Sequence, residues 1–323
     1  MSSSSAPVKI SIVVPVYNEQ EVLPELFEQL YRVMDGLDSS YEILFVDDGS
    51  RDGSVGLLRA QFAVRPDVTR VILLRANSGQ HAAIMAGFSR CRGDYVITMD
   101  ADLQNPPSEI PKIIQEMDAG HDYVGSIRDQ RRDRLWRHVA SRLMNRVRER
   151  ITDIRMTDQG CMFRGYHRDI VKILVGSNER QTFIPALGYL YAANPAEIEV
   201  RHEERFAGKS KYSLFKLIHL NLDLITSFST VPLHVFSMIG MLVSALSFVF
   251  VIYLFVRRLV VGPEAEGLFT LFAIAFFLFG LMLLAVGILG EYLGRVYGEV
   301  RNRPSYTIAA QLEDNQPTDE HPT

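Results

Sequence analysis

Two stretches of this 323-residue chain, residues 233–256 and 267–290, each run for 24 positions without Asp, Glu, Lys or Arg. As helix, either run is roughly 36 Å long, enough to cross a hydrocarbon core of about 30 Å. Single runs of this kind also occur as buried core helices. Two of them joined by the ten residues 257–266 predict a transmembrane helical hairpin. The formal charge of −4 is therefore an average over two unlike parts, and most of the polar chemistry must lie before residue 233. Residues 1–9 hold a Ser run but no apolar stretch of signal-peptide length, so the preceding domain is expected to stay on the cytoplasmic side behind a flexible N-terminus. Lys209, Lys211 and Lys216 before the first run, and Arg295, Arg301 and Arg303 after the second, agree with that orientation. Arg257 and Arg258 in the link oppose it. After a juxtamembrane segment at 291–306, the polar tail 307–323, with Pro317 and Pro322, is expected to be disordered. Cys91 and Cys161 form neither a disulfide framework nor a metal-ligand pattern.

Residues 10–210 read as one α/β domain. Strands are predicted at 10–16, 41–46, 71–74 and 95–99, with helices at 21–37, 55–62 and 81–90. Alternation at this spacing implies right-handed βαβ units and a mostly parallel sheet. Each polar loop of interest follows the carboxyl end of one strand, where open α/β sheets bind ligands.

Residues 128–155 hold ten arginines against Asp129, Asp133, Glu149 and Asp153, a formal excess of +6. About half of these suit a solvated helix face; the rest suit anionic headgroups or a lipid phosphate in a chain with membrane spans. Nucleic acid is the weaker reading, because Trp136 is the only tryptophan in the strip and the whole chain is acidic. Residues 211–232 mix apolar positions with Lys216, His219, Asn221 and Asp223, the pattern of an interfacial amphipathic helix, and Pro232 is expected to bend it into the first span.

Asp100-Ala101-Asp102, with Gln104 behind it, follows the fourth strand. Residues two apart on an extended end face the same way, so both carboxylates and the amide oxygen can converge. Such hard oxygen ligands suit Mg²⁺ or Mn²⁺, which acts as a Lewis acid on a departing nucleoside diphosphate. The motif alone is common, and the pair also reads as a cap plus an exposed acid; its place at a fourth strand end gives it weight. Asp47-Asp48-Gly49-Ser50 ends the second strand, where a carboxylate can accept from a ribose or a base imide, or can simply cap a turn. Pro15-Val16-Tyr17-Asn18-Glu19 ends the first strand, and Tyr17 can flank a nucleobase. No glycine-rich phosphate cradle is present, so diphosphate charge must fall to metal and cations.

These motifs carry a resemblance. Val13-Val14-Pro15-Val16-Tyr17-Asn18-Glu19, Asp47-Asp48-Gly49-Ser50, Asp100-Ala101-Asp102-Leu103-Gln104 and Gly208-Lys209-Ser210-Lys211-Tyr212 resemble glycosyltransferase family 2, with its GT-A fold, and within it the polyprenyl-phosphate glycosyltransferases. The resemblance spans about residues 10–306. Gly79-Gln80-His81-Ala82-Ala83-Ile84-Met85-Ala86-Gly87-Phe88-Ser89, Asp158-Gln159-Gly160-Cys161-Met162, Thr182-Phe183-Ile184-Pro185 and Leu289-Gly290-Glu291-Tyr292-Leu293-Gly294-Arg295 are similar to the bacterial undecaprenyl-phosphate 4-deoxy-4-formamido-L-arabinose transferases that serve lipid A modification.

The resemblance implies an inverting, metal-dependent transfer from a nucleotide-sugar donor to undecaprenyl phosphate at the cytoplasmic face of a bacterial inner membrane, by a homo-oligomer, a tetramer first. It places the metal on Asp100, Asp102 and Gln104, and the nucleotide on Pro15, Tyr17, Glu19, Asp47 and Asp48. Arg128 and Arg137 take the acceptor phosphate; Arg205, Lys209 and Lys211 sit in a juxtamembrane loop that closes over the diphosphate. Asp158 takes the position of the family's proposed catalytic aspartate; an alternative is a loop carboxylate paired with Arg155 or Arg164. A phosphate monoester, with a second pKa of about 6, is already largely a dianion at neutral pH. Such an acceptor needs little from a general base, so Asp158 is expected mainly to position substrates or to stabilise an oxocarbenium-like centre.

A glucose- or mannose-type polyprenyl-phosphate transferase remains the alternative. A processive polysaccharide synthase would carry Gln-x-x-Arg-Trp, whereas Trp136 here lies in Arg134-Leu135-Trp136-Arg137. A non-catalytic lipid-binding scaffold has no use for polar loops converging from several strand ends.

Overall fold

Ile10–Val16 (β1) is apolar on both faces and buried along nearly its whole length, the pattern of a central strand covered on two sides. In the computed structural model, which describes residues 8–128, 156–158, 160–177, 183–202, 231–261, 268–300 and 304–314, β1 lies inside an eight-stranded sheet. Parallel neighbours flank it: β2 (Tyr41–Asp47) on one side and β4 (Tyr95–Thr98) on the other, with β3 (Thr69–Leu74) beyond β2. The crossover helices α1 (Leu23–Asp35), α2 (Ser54–Val64) and α3 (Gln80–Phe88) join them. The four predicted strands and three predicted helices are all present, and the sheet has the mostly parallel α/β character expected.

Pro15 sits in β1 without breaking a ladder. The β4 ladder ends at the pair Val13↔Thr98, and the Pro15 nitrogen falls beyond that end. α1 packs Leu23, Leu26, Phe27, Leu30, Tyr31 and Met34 inward, and Phe27 meets Phe45 of β2 edge to face at 5.2 Å. Burying each such side chain contributes about 1.5–3 kcal/mol.

Past β4 the sheet changes direction. A 3₁₀ turn (Pro107–Glu109) leads into α4 (Ile110–Asp118) and β5 (Tyr123–Arg128). The strand β6 (Arg164–His167) then inserts antiparallel between β4 and β5, and β7 (Pro195–Val200) closes that edge parallel to β5. α5 (Arg168–Gly176) and α6 (Ile184–Tyr191) pack on this flank.

At the opposite edge the structure corrects the expectation of a disordered tail from residue 307. Ile308–Leu312 forms β8, antiparallel to β3. The tail's polarity hid two features: Ala310 and Leu312 pack on the core, and Glu313 forms ion pairs with buried Arg70 and with Arg92. Arg70 also donates to Glu42 at 3.0 Å, and Glu42 accepts from the Ser11 hydroxyl and the Arg92 amide.

The chain divides into two compact units. All strands belong to the first. The second contains α7 (Val231–Val261) and α8 (Leu268–Val300). Both outrun the predicted spans: α7 takes in Arg257 and Arg258, and α8 continues ten residues past Gly290. Pro232 lies in the first turn of α7, where a proline costs no helical hydrogen bond. Many of their apolar side chains are exposed, among them Met238, Met241, Phe276, Phe277 and Leu283. Among the described residues one stretch, Ile274–Gly294, has the length and apolarity to cross a membrane. Arg137, Arg205, Lys209, Lys211 and all but the end of the predicted interfacial helix lie outside the described residues.

Candidate active site

Strand order reverses between β1 and β4: the chain proceeds outward through β2 and β3, then returns to the far side of β1. Loops leaving the carboxyl ends of β1 and β4 therefore diverge and leave a crevice, the usual ligand position in such sheets. Each loop bordering it is tied to the next.

The β1 and β2 loops are stitched together by side chains. Asn18, in a left-handed conformation (φ 54), accepts from the Arg51 amide at 2.8 Å, while its own amide donates to Ser50 Oγ. The Glu19 amide donates to Ser54 Oγ, and Gly53 donates to Gln20 Oε1. Tyr17 is left 42% exposed, as a face for a flat ring would be. Asp47 closes its own turn, Oδ2 accepting from the Gly49 and Ser50 amides at 3.1 Å. Its Oδ1 is buried without a hydrogen-bond partner. A buried unpaired carboxylate oxygen is costly, and a ligand N–H or O–H is the natural remedy. Gly49 is required twice over: its φ is +70, and a Cβ there would lie 2.8 Å from the Ala76–Asn77 backbone.

Asp48 reaches to the next loop, accepting from the Ser78 and Gly79 amides at 2.7 and 2.9 Å. Burial raises its carboxyl above the usual range; the two amides oppose this and the Asp47 charge adds to it. Gln80, opening α3, donates to Asp100. His81 beside it makes an edge contact with Phe183, and burial lowers its imidazole pKa to about 4, so it is neutral at ordinary pH.

Asp100, Ala101 and Asp102 do not lie on strand, as the alternation argument assumed. β4 ends at Thr98 and the motif sits in the following turn. Leu103 is left-handed there (φ 59), a conformation costing a non-glycine residue about 1–2 kcal/mol. Asp102, 7% exposed, accepts from the Gln104 amide at 3.2 Å. Among the described residues no three His, Cys, Asp or Glu side chains cluster for a metal. The available ligands are two carboxylates and the Gln104 side-chain oxygen, an all-oxygen set of the kind Mg²⁺ or Mn²⁺ takes alongside water and phosphate, and the chemistry of that set fits.

At the end of β5, Arg128 grips Asp158 with two parallel bonds, Nε at 2.6 Å and Nη2 at 2.9 Å. Donating to the Asp158 carboxylate raises the Arg128 pKa against burial, and the Asp100 charge adds to it more weakly, so Asp100, Arg128 and Asp158 share one electrostatic neighbourhood. A partner of Asp158 is thus Arg128, which the family resemblance assigned to the acceptor phosphate. Arg164 acts differently. Fully buried, it donates to the backbone carbonyls of Cys161 (2.6 Å) and Asp158, and to the Tyr123 hydroxyl. One arginine holds the carboxylate and another holds the loop beneath it. Gly160 gives Arg128 room, since a Cβ there would lie 2.9 Å from Nη2.

Sequence reasoning gave no role to Gln80 or Gly160, and offered Arg164 only as an alternative partner of the Asp158 carboxylate, not as the support of the backbone beneath it. Gln80 had a signal, lying in a polar turn after a strand; that role of Arg164 had none, because its partners are backbone carbonyls and a tyrosine distant in sequence.

The model of the family described as "Glycosyl transferase family 2" matches residues 11–174. The chain is 48% identical over 314 residues, 96% of each chain, to the undecaprenyl-phosphate 4-deoxy-4-formamido-L-arabinose transferase of Edwardsiella ictaluri. It is 47% identical to the enzyme of that name from Yersinia enterocolitica, over 98% of this chain and 99% of that one. Among solved structures, glucosyl-3-phosphoglycerate synthase from Mycobacterium tuberculosis is 16% identical, with a TM-score of 0.47 over 68% of this chain and 79% of that one, a likeness too slight to carry an argument. With a match that takes in the strand-end loops after β1, β2 and β4 together with Arg128 and Asp158, and with relatives nearly half identical from end to end, the chain belongs to glycosyltransferase family 2.

Proposed function

We propose that this glycosyltransferase moves 4-deoxy-4-formamido-L-arabinose from its UDP donor to undecaprenyl phosphate, with inversion, at the cytoplasmic face of the bacterial inner membrane, supplying a lipid-linked sugar for lipid A modification. The observation that carries the reading is the near-full-length identity to relatives bearing that name. The exposed apolar surface of α7 and α8 supports anchoring in a bilayer, as a lipid acceptor requires.

In this reading the uridine lies over Tyr17 and gives a hydrogen to the unpaired Oδ1 of Asp47. Asp100, Asp102 and Gln104 would hold Mg²⁺ or Mn²⁺, which would supply Lewis-acid stabilisation to the departing diphosphate. An acceptor phosphate oxygen attacks the anomeric carbon from the face opposite the diphosphate, forming the new C–O bond as the old one breaks. Asp158 takes two of the donor positions of Arg128, leaving the Nη1 edge to an acceptor oxygen. The guanidinium then offsets part of the repulsion between two anions brought together. Arg137, Arg205, Lys209 and Lys211 complete the proposed cationic set. Asp158 orients Arg128 and faces the developing positive charge on the sugar; it does not have to take a proton from a phosphate that is already ionised.

The test is release of nucleoside diphosphate by the purified full chain. Release is expected only when donor, divalent metal and undecaprenyl phosphate are all present. Equal release without the lipid would make the protein a hydrolase and end the proposal.

A further inference from the structure

A cavity of about 450 Å³ opens beside the donor end of the site, and its walls come from three places. Asp47, Gly49, Ser50 and Arg51 form one side, the end of β3 with Arg75, Ala76 and Asn77 forms a second, and Ala309 of β8 contributes the third. The first of these walls includes Asp47, the residue whose Oδ1 is buried and unpartnered. Ala309 belongs to the segment after the second apolar run, the part of the chain whose sequence announces it least.

β8 is fastened where it stands. Val71↔Leu312, Ile72↔Gln311 and Leu73↔Ala310 pair in register, and the ladder then slips so that Leu74 meets Ile308. Just beyond the slip, the Arg75 amide donates to the Thr307 carbonyl at 2.8 Å, which fixes the backbone leading into Ala76 and Asn77. Tyr306 reaches Ser89 at 3.2 Å, and Glu313 forks between Arg70 and Arg92 at the other end. Ala310 and Leu312 pack on the core. Ala309, the residue the ladder passes over at the slip, is exposed and lines the cavity.

We propose that β8 is a wall of the donor-nucleoside pocket and that Ala309 is a positioning residue for the nucleoside: its small side chain keeps the pocket open while its strand fixes the 75–77 backbone opposite Asp47. This rests on the reading of the Asp47 end as the donor site. A strand that merely covers the edge of β3 would serve stability and would be indifferent to the size of a side chain on its cavity face.

Titration of the full-length, detergent-solubilised chain with UDP separates these roles, with melting temperature read in parallel. Ala309→Phe, which fills the cavity and leaves the ladder bonds in place, is expected to weaken UDP at least tenfold with little change in melting temperature; Ala309→Ser is expected to bind as the wild type does. Unchanged UDP affinity in Ala309→Phe would overturn the proposal. Should Ala309→Phe not fold, Glu313→Gln loosens the strand from outside the cavity. It is expected to weaken UDP severalfold, and unaltered affinity there would overturn the proposal equally. A wild-type chain that binds neither UDP nor GDP would instead overturn the donor-site reading, and this inference with it.

Discussion

The two sides of the crevice are held by different physics. On the proposed donor side, carboxylates are held by backbone amides: Asp47 by Gly49 and Ser50, Asp48 by Ser78 and Gly79. On the proposed acceptor side, Asp158 accepts one bond from the Gly160 amide but is held chiefly by a guanidinium, through a charge-assisted pair with Arg128. Amides fixed in a folded backbone cannot leave, so the donor side is a preformed mould. An ion pair can exchange its partner, so in the proposed reading a phosphate arriving at Arg128 would meet a cation already charged and oriented. Rigidity suits the diphosphate donor, and exchangeability suits an acceptor that must dock and depart as a lipid.

Asp158→Ala should give the largest effect that separates the sides. It leaves Arg128 without its main partner, costing about 2–3 kcal/mol, less than the roughly 3–5 of a fully buried pair because Arg128 is partly exposed. Turnover should fall by about 10²-fold or more with the donor KM little changed. Thermal melts and initial rates check this; near wild-type turnover in Asp158→Asn would remove the positioning role. Gly49→Ala should come next, on the opposite side. The left-handed backbone and the close Ala76–Asn77 chain imply strain of at least about 1–2 kcal/mol, and a donor KM raised about tenfold with the acceptor KM unmoved. A rise in both constants would erase the distinction between the sides. Gly160→Ala should act more mildly and in mirror image, displacing only the end of a flexible arginine and raising the acceptor KM severalfold.

Much of this contrast was legible in the sequence, though unevenly. The parallel strands β4-β1-β2-β3 announce themselves as apolar runs ending in polar loops, because a strand covered on both faces has almost no choice of residue. Asp47, Asp48, Asp100 and Asp102 follow from those strand ends. The antiparallel insertion of β6 was not legible: Arg164, Gly165, Tyr166 and His167 form a short strand whose one arginine is fully buried, and a hydropathy pattern reads that as loop. β8 was hidden for a related reason, since Ala309, Ala310 and Gln311 are weak strand formers held by a ladder and by Glu313. The geometry of the acidic motif was misread in detail, because Leu103 turns the chain where an extended end was assumed.

The smallest expected effect concerns pH. His81, on the amide-held side, stays neutral in the fold down to about 4, whereas its ordinary value is 6.5. Between these values the unfolded chain binds the proton that the folded chain refuses. Stability from this group is therefore full above 6.5 and falls as the pH drops toward 4, by on the order of 1–3 kcal/mol. His81→Phe should flatten the fall in melting temperature across that window, and a wild-type-like slope in the variant would place the proton elsewhere.

The mass of the lipid product tests the central claim most directly. The full chain, incubated with undecaprenyl phosphate, Mn²⁺ and a panel of UDP- and GDP-sugars, should yield undecaprenyl phosphate enlarged by one 4-deoxy-4-formamido-L-arabinosyl group from the matching UDP donor, and nothing after chelation of the metal. A product carrying glucose or mannose in preference would overturn the sugar; no lipid-linked product from any donor would contradict the account itself.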